Sequence, residues 1–272
     1  FKGADISNSI VKADGVMTPV AMIDNTVRFI SQGTRRGYFA GYLPFAHKDI
    51  DSFLKVKDKG SDIQSIMTGV TVSDKDVEDI ENGDQVALEK WAKLLEARNN
   101  MGIPFILYEG NANLSKSTPI PYRKAGTVRN SNLCSEIMLP LDEKESFVCC
   151  LASMNLLNVE KWTRTDAVEV CVYLLEAVMN EFIRKASAIP EMAKAVRFAR
   201  RHRALGIGTF GEHSMIQQKM IPFGSIAHEG LIHRIYSQIE EQAKATSVKL
   251  ADKYGACEVN KLAGVNMRHT TL

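Results

Sequence analysis

The sequence is short of several things. Its 272 residues hold five cysteines, and none precedes Cys134. No two of them stand in the C-x-x-C spacing that holds zinc. A scattered, odd set of thiols excludes the disulfide framework of a small secreted fold and leads us to expect reduced thiols in a cytoplasmic setting. No apolar run approaches the roughly 18 residues of a membrane span, and the opening residues lack the pattern of a secretion leader. Net charge is only +2, so bulk electrostatics demand neither nucleic acid nor a membrane surface as partner. There is no internal repeat, low-complexity tract or Gly/Ser/Pro-rich linker, so one domain or a piece of one is expected. The remainder, 45% hydrophobic and 24% charged, is the composition of a globular protein. Phe1 stands where a start methionine would, and the chain closes on the apolar-ending run from Asn266 to Leu272. Both ends are expected to be cuts through a longer chain.

What is present alternates between apolar β-type runs and long amphipathic stretches. Residues 39–45, 65–72, 104–108 and 146–152 are short, apolar and rich in β-branched or aromatic side chains, which predicts strands. Residues 85–98 predict a helix, with Val86, Leu88, Trp91, Leu94 and Leu95 on its stripe. Residues 166–183, 192–205 and 227–254 predict three more, the last stopped by Gly255. Strands separated by helices imply an α/β fold with much parallel pairing. Residues 55–62 form a charged loop, and 111–130 form a polar stretch long enough to suggest function.

The chemistry concentrates in two segments, Ser131-Asn132-Leu133-Cys134-Ser135-Glu136-Ile137 and Val148-Cys149-Cys150-Leu151-Ala152-Ser153-Met154-Asn155-Leu156. In an extended segment Asn132, Cys134 and Glu136 would share a face. That face offers a hydrogen-bonding amide, a thiol able to act as radical or nucleophile, and a carboxylate able to act as general base. The residues alone leave open a half-buried strand with its polar side chains on the wet side. On a strand Cys149 and Cys150 face opposite ways, and Cys150 reads as packing. Cys171, in an apolar helix stripe, and Cys257, after a helix end, read as core.

Asn132-Leu133-Cys134-Ser135-Glu136-Ile137 resembles the active-site motif of ribonucleotide reductase large subunits, and Cys149 with Asn155-Leu156 resembles the family's next motif. Collinear similarities accompany them. Arg35-Arg36-Gly37, leading into Tyr42-Leu43-Pro44 and His47-Lys48-Asp49-Ile50, resembles the effector-sensing loop and the strand after it. Trp91 to Arg98 and Gly102 to Phe105 resemble the helix and strand before the active-site loop. Arg203 to Gly208 and Ala251 to Cys257 resemble a later helix-to-strand junction and a late helix end. The resemblance, which spans the chain, implies part of a ten-stranded α/β barrel with an active-site finger loop. It makes 1–272 a partial catalytic barrel domain lacking the N-terminal region and the C-terminal part of the barrel.

The implied activity is reduction of ribonucleoside diphosphates to deoxyribonucleotides by a class I-like large subunit. Cys134 would become a thiyl radical and take the ribose 3′ hydrogen, with Glu136 as base on the 3′ hydroxyl. Asn132 would hold the substrate hydroxyls, and Cys149 would supply electrons and end in a disulfide. No cofactor would be bound directly. The radical would come from a di-metal small subunit, electrons from thioredoxin or glutaredoxin, and deoxynucleoside triphosphates or ATP would act as effectors on a homodimer of large subunits. Lys12, Arg35 and Arg36 would contact effector phosphate, as flexible basic loops do. The cobalamin-dependent type shares the barrel but usually has proline where this chain has Leu133. A non-catalytic nucleotide-binding or assembly protein of the same fold is the alternative, since the upstream electron-donating cysteine, the phosphate loop and the radical-relay tyrosines of the family have no match here.

Three patterns are set aside. Gly206-x-Gly208-x-x-Gly211 satisfies the dinucleotide fingerprint but follows a basic helical run rather than an apolar strand. His228 and His233 are five apart and point different ways on a helix, unlike a zinc pair. His202 and His213 are expected at the surface, and the basic run 197–203 is expected to be a solvated helix face.

Overall fold

Strands of a parallel sheet covered on both faces read as near-continuous apolar runs, and residues 39–45 and 65–72 are such runs. The computed structural model describes residues 3–5, 15–123 and 128–272, with the backbone alone at 3–5, 31–32 and 35–36. They divide into two units. The first comprises Phe1–Thr118 and Tyr122–Leu141, the second Pro119–Pro121 and Asp142–Leu272.

The first unit runs β1 (Gly3–Asp5), α1 (Met17–Phe29), β2 (Ser31–Gln32), β3 (Arg35–Arg36), β4 (Phe39–Pro44), α2 (Ile50–Leu54), β5 (Ile66–Val72), α3 (Asp74–Glu81), α4 (Gln85–Met101), β6 (Phe105–Tyr108) and α5 (Glu109–Leu114). β1, β4, β5 and β6 form a parallel sheet in that order, with Phe39 opposite Ile66 and Gly69 opposite Phe105. Side chains alternate across it. Leu43, Ile66, Val70 and Val72 pack with Val20 of α1, Phe53 of α2 and Leu94 of α4. On the other face Ala40, Tyr42 and Leu107 meet Met67 and Leu133. α3 opens on a capping box between Ser73 and Asp76. α4 opens on Asp84, whose carboxylate accepts from the Ala87 amide at 2.8 Å. The buried Asp24 of α1 accepts from the amides of Ser65 and Ile66 at 2.5 and 2.8 Å, and Arg28 balances its charge at 2.9 Å. The predicted strands at 39–45, 65–72 and 104–108 and the helix at 85–98 are present. α1 and α3 escape the sequence reading, and part of the polar stretch 111–130 is α5.

The second unit runs β7 (Leu151–Asn155), α6 (Val159–Trp162), α7 (Ala167–Ala186), α8 (Ala193–His202), β8 (Gly206–Phe210), α9 (Glu212–Gln218), α10 (Ile226–Tyr254) and α11 (Glu258–Leu262). β7 and β8 pair in parallel with Leu151 opposite Gly206. Val172, Leu175 and Met179 of α7 pack with Ala199 of α8 and Ile235, Ile239 and Leu250 of α10. The strand expected at 146–152 begins only at Leu151; ahead of it the Ser146 amide donates to the Lys194 carbonyl at 3.3 Å and the Cys150 carbonyl accepts from the Gly206 amide at 3.0 Å. Gly206 and Gly208 lie within β8 rather than after it, so the glycine pattern forms no strand-to-helix phosphate turn.

The basic run corrects a second expectation. His202 is buried, stacks on Phe198 with ring centroids 4.1 Å apart, and meets Glu145 at 3.0 Å. Arg197 and Arg201 pair with the same carboxylate. Arg203, in a left-handed conformation after α8, is buried on Glu176 at 2.7 Å. Arg268 and His269 reach Glu176 at 3.0 Å each. Burial alone would raise the Glu176 carboxyl. Hydrogen bonds from His269 and Arg203, with the charges of Arg203 and Arg268, outweigh it and hold the pKa at about 2. Burial lowers the pKa of His269, against the opposing pull of Glu176.

Candidate active site

Ser131 and Asn132 are buried, and the chain turns immediately after them. The Ser135 amide donates to the Asn132 carbonyl at 3.1 Å, which makes Leu133 and Cys134 the central residues of a turn. The same-face argument from an extended strand is therefore corrected: this segment is bent. Ser135 has φ of +65°, a conformation that costs an L-residue on the order of 1–2 kcal/mol and that persists only where surrounding contacts fix it.

Those contacts come chiefly from one side chain. Asn132 Oδ1 accepts from the amides of Glu136 and Ile137 at 3.1 and 3.0 Å, and Nδ2 donates to Glu136 Oε1 at 2.7 Å. Ser131 Oγ donates to the Ile137 carbonyl at 2.8 Å. Leu133 turns into the apolar cluster on the sheet. Cys134 and Glu136 are left exposed. The arrangement presents a thiol at a turn tip, with a carboxylate two residues on that a buried amide orients. Beneath the turn lies Tyr42 of β4, 1% exposed, with its hydroxyl 3.4 Å from Ser135 Oγ. Burial pushes the phenol pKa up, against hydrogen bonds with Ser135 and Ser131 that lower it. Nothing in the local sequence around Cys134 points to Tyr42, which is 93 residues away.

Cys149 belongs to the second unit, just ahead of β7, and is exposed. Cys150 is half-buried against that unit's core, its Sγ 3.7 Å from the Leu175 carbonyl, and burial pushes its thiol up to about 11. Lys12 lies outside the described residues. Arg35 and Arg36 form β3, paired with Gln32 and Ser31 in an antiparallel hairpin, and their side chains lie outside the described atoms. His228 bonds Glu212 at 3.0 Å and accepts from the Gly224 amide. Among the described residues no group of three or more His, Cys, Asp or Glu side chains could hold a metal ion, and no helix is long and apolar enough to cross a membrane.

Comparison with known proteins agrees with the motif reading. The family model for the ribonucleotide reductase barrel domain matches residues 1–90 and 86–268. The chain is similar to a ribonucleoside-diphosphate reductase large subunit of Frog virus 3 (isolate Goorha), 31% identical over 98% of this chain and 51% of that protein. It is also similar to the large subunit of Invertebrate iridescent virus 3, 34% identical over 62% of this chain and 26% of that one. Among solved structures it matches the Actinobacillus ureae class Id ribonucleotide reductase alpha subunit, with a TM-score of 0.89 and 40% identity, covering 97% of this chain and 49% of that chain. It thus spans about half the length of the Frog virus 3 and Actinobacillus relatives. A matched barrel-domain model, relatives that are large subunits and a class Id alpha subunit of the same fold lead to one conclusion: this chain belongs to the ribonucleotide reductase family and is class I-like large-subunit sequence carrying part of an α/β barrel.

Proposed function

We propose that the chain provides the radical-bearing turn of a ribonucleoside-diphosphate reductase large subunit, and that residues 1–272 form part of one catalytic barrel domain. The observation that carries this reading is the Asn132 frame, which presents the exposed Cys134 and orients Glu136 at 2.7 Å. The thiyl form of Cys134 takes the ribose 3′ hydrogen atom, and Glu136 accepts the 3′ hydroxyl proton. The 2′ hydroxyl takes a proton from one of two thiols, Cys149 and a second, and leaves as water. The pair then gives up two electrons and its remaining proton, so that a hydrogen replaces the hydroxyl on the 2′ carbon and the two sulfurs join as a disulfide. Glu136 returns its proton to the 3′ oxygen, and Cys134 returns the hydrogen to the 3′ carbon. Asn132 holds substrate hydroxyls as well as Glu136. In the family the second thiol lies ahead of the radical cysteine, where this chain has none.

The radical equivalent is supplied by a separate di-metal small subunit, and thioredoxin or glutaredoxin reduces the disulfide. Deoxynucleoside triphosphate or ATP effectors act through Lys12, Arg35 and Arg36 in a homodimer of large subunits, in the cytoplasm. The test is reduction of a labelled ribonucleotide by this chain alone and by the chain co-expressed with its genomic neighbours and a small subunit. Activity is expected in the mixture, with Cys134→Ala abolishing turnover and changing nucleotide affinity by less than about twofold. Turnover that survives Cys134→Ala overturns the radical role. No activity, with every component folded and present, establishes the non-catalytic alternative.

A further inference from the structure

The side chain beneath the cysteine turn has a role that the motif does not supply. Tyr42 and Gly69 are opposite one another in the β4–β5 register. A Cβ on Gly69 would lie 2.3 Å from Tyr42 Cε1 and 2.5 Å from Cδ1, so the ring occupies the space that a side chain at 69 would need. The ring packs over Gly69 of β5, in the same apolar cluster that Leu133 packs against. There it meets Ser135, on the leg of the turn that follows Cys134, with 3.4 Å between the two hydroxyl oxygens.

Ser135 is the residue held in the left-handed region, and Cys134 and Glu136 flank it. The only hydroxyl that the turn offers next to the thiol is thus turned inward to a phenol that the sheet fixes. Asn132 orders the amides of Glu136 and Ile137 but does not touch the Ser135 side chain. Tyr42 supplies that contact.

We infer that Tyr42, seated by Gly69, is a positioning residue: its hydroxyl holds the Ser135 side chain, steadies the left-handed conformation, and so aims the Cys134 thiol and Glu136 carboxylate. The inference rests on the proposed radical role of Cys134 for its catalytic consequence, while its structural part stands apart from that role. Tyr42→Phe removes the hydroxyl and leaves the ring in its slot, so the fold is kept. A misplaced reacting atom costs rate rather than affinity.

The experiment has two arms. In the assembled reductase, Tyr42→Phe is expected to lower kcat about tenfold with KM within about twofold of the parent. In this chain alone, amide hydrogen exchange at Ser135, Glu136 and Ile137 is expected to quicken about tenfold, with the β4 and β5 amides unchanged. Ser135→Ala should give the same exchange increase, and the two substitutions together little more than either alone, the signature of one shared contact. Additive exchange effects, or none, overturn the inference. Faster exchange with unchanged kcat in an active assembly also overturns it, because the contact then shapes the turn without serving the chemistry. If the parent assembly is inactive the proposed function fails, and the exchange cycle alone decides whether Tyr42 holds the turn.

Discussion

Glu136 is exposed, yet its carboxylate is tied at 2.7 Å to an amide that is itself buried. Such a group can meet substrate without the conformational freedom of a surface glutamate. Glu136→Gln keeps an oxygen for the Asn132 amide but cannot take a proton. Turnover in the assembled enzyme is expected to fall by about 10²–10⁴-fold, with nucleotide affinity unchanged in an equilibrium binding assay. A matching loss of affinity would mean that the carboxylate serves to hold the nucleotide. The hydrogen-bonded grouping of Asn132 with Glu136 beside Cys134 was legible because the three fall within five residues, although the extended conformation assumed for them was not the one adopted. A turn with a left-handed serine has no signature in residue types, since serine rarely takes that conformation. Tyr42 was illegible as a partner for a different reason: strand periodicity says that a side chain is buried, but not what lies 93 residues further along.

The segment from Arg268 to Thr271 is no regular helix or strand, yet it is anchored at nearly every residue. Arg268 and His269 meet Glu176, the His269 carbonyl accepts from Asn260 Nδ2 at 2.9 Å, and Thr271 exchanges hydrogen bonds with Leu205. Removing the central carboxylate leaves the buried Arg203 and the partly buried Arg268 without their counter-charge, so Glu176→Gln is expected to destabilise by about 3–5 kcal/mol in denaturant unfolding. Acid acts in the same direction. Glu176 has a folded pKa of about 2, below its ordinary value of 4.5. Its stabilisation is therefore fully present above 4.5 and is lost as pH falls towards 2, on the order of 3 kcal/mol in all. His269 and His202, both lowered from 6.5, add to the loss as pH falls below 6.5, because the unfolded chain binds those protons first. Unfolding midpoints measured from pH 7 to pH 3 should fall throughout, and Glu176→Gln should flatten the profile below 4.5. A flat profile in the parent would show that the network contributes no proton linkage. The helices of this unit were readable from apolar periodicity, as α7 and α10 demonstrate. The burial of His202 and Arg203 was not, because a run of cations reads as solvated until its carboxylates, Glu145 and Glu176, are found far away in the sequence.

Across the whole chain the five thiols sort by accessibility. Cys134 and Cys149 are exposed, Cys150 and Cys171 are partly covered, and Cys257 is buried. Burial raises the last three above their ordinary pKa, and the thiolate is the reacting form. A thiol-reagent time course at pH 8 should therefore show two fast sites, mapping to Cys134 and Cys149, and three that open fully only in denaturant. Rapid labelling of Cys257 in the native chain would contradict its burial ahead of α11. At this scale the sequence was most informative. Weak motifs in a fixed order identified the family, because collinearity multiplies signals that are separately ambiguous, whereas the division into two units has no composition break to mark it.

The left-handed turn at Ser135 has a consequence in stereochemistry. A mirror-image residue at that position would rest in its own preferred well, so a chain prepared by ligation with D-alanine at 135 should hold the bend with less strain than the L-form does. The natural residue has the disfavoured handedness, and in return its hydroxyl points to Tyr42. If that direction is what matters, D-serine at 135 should give a calmer backbone and a poorer catalyst, separating the shape of the bend from its aim.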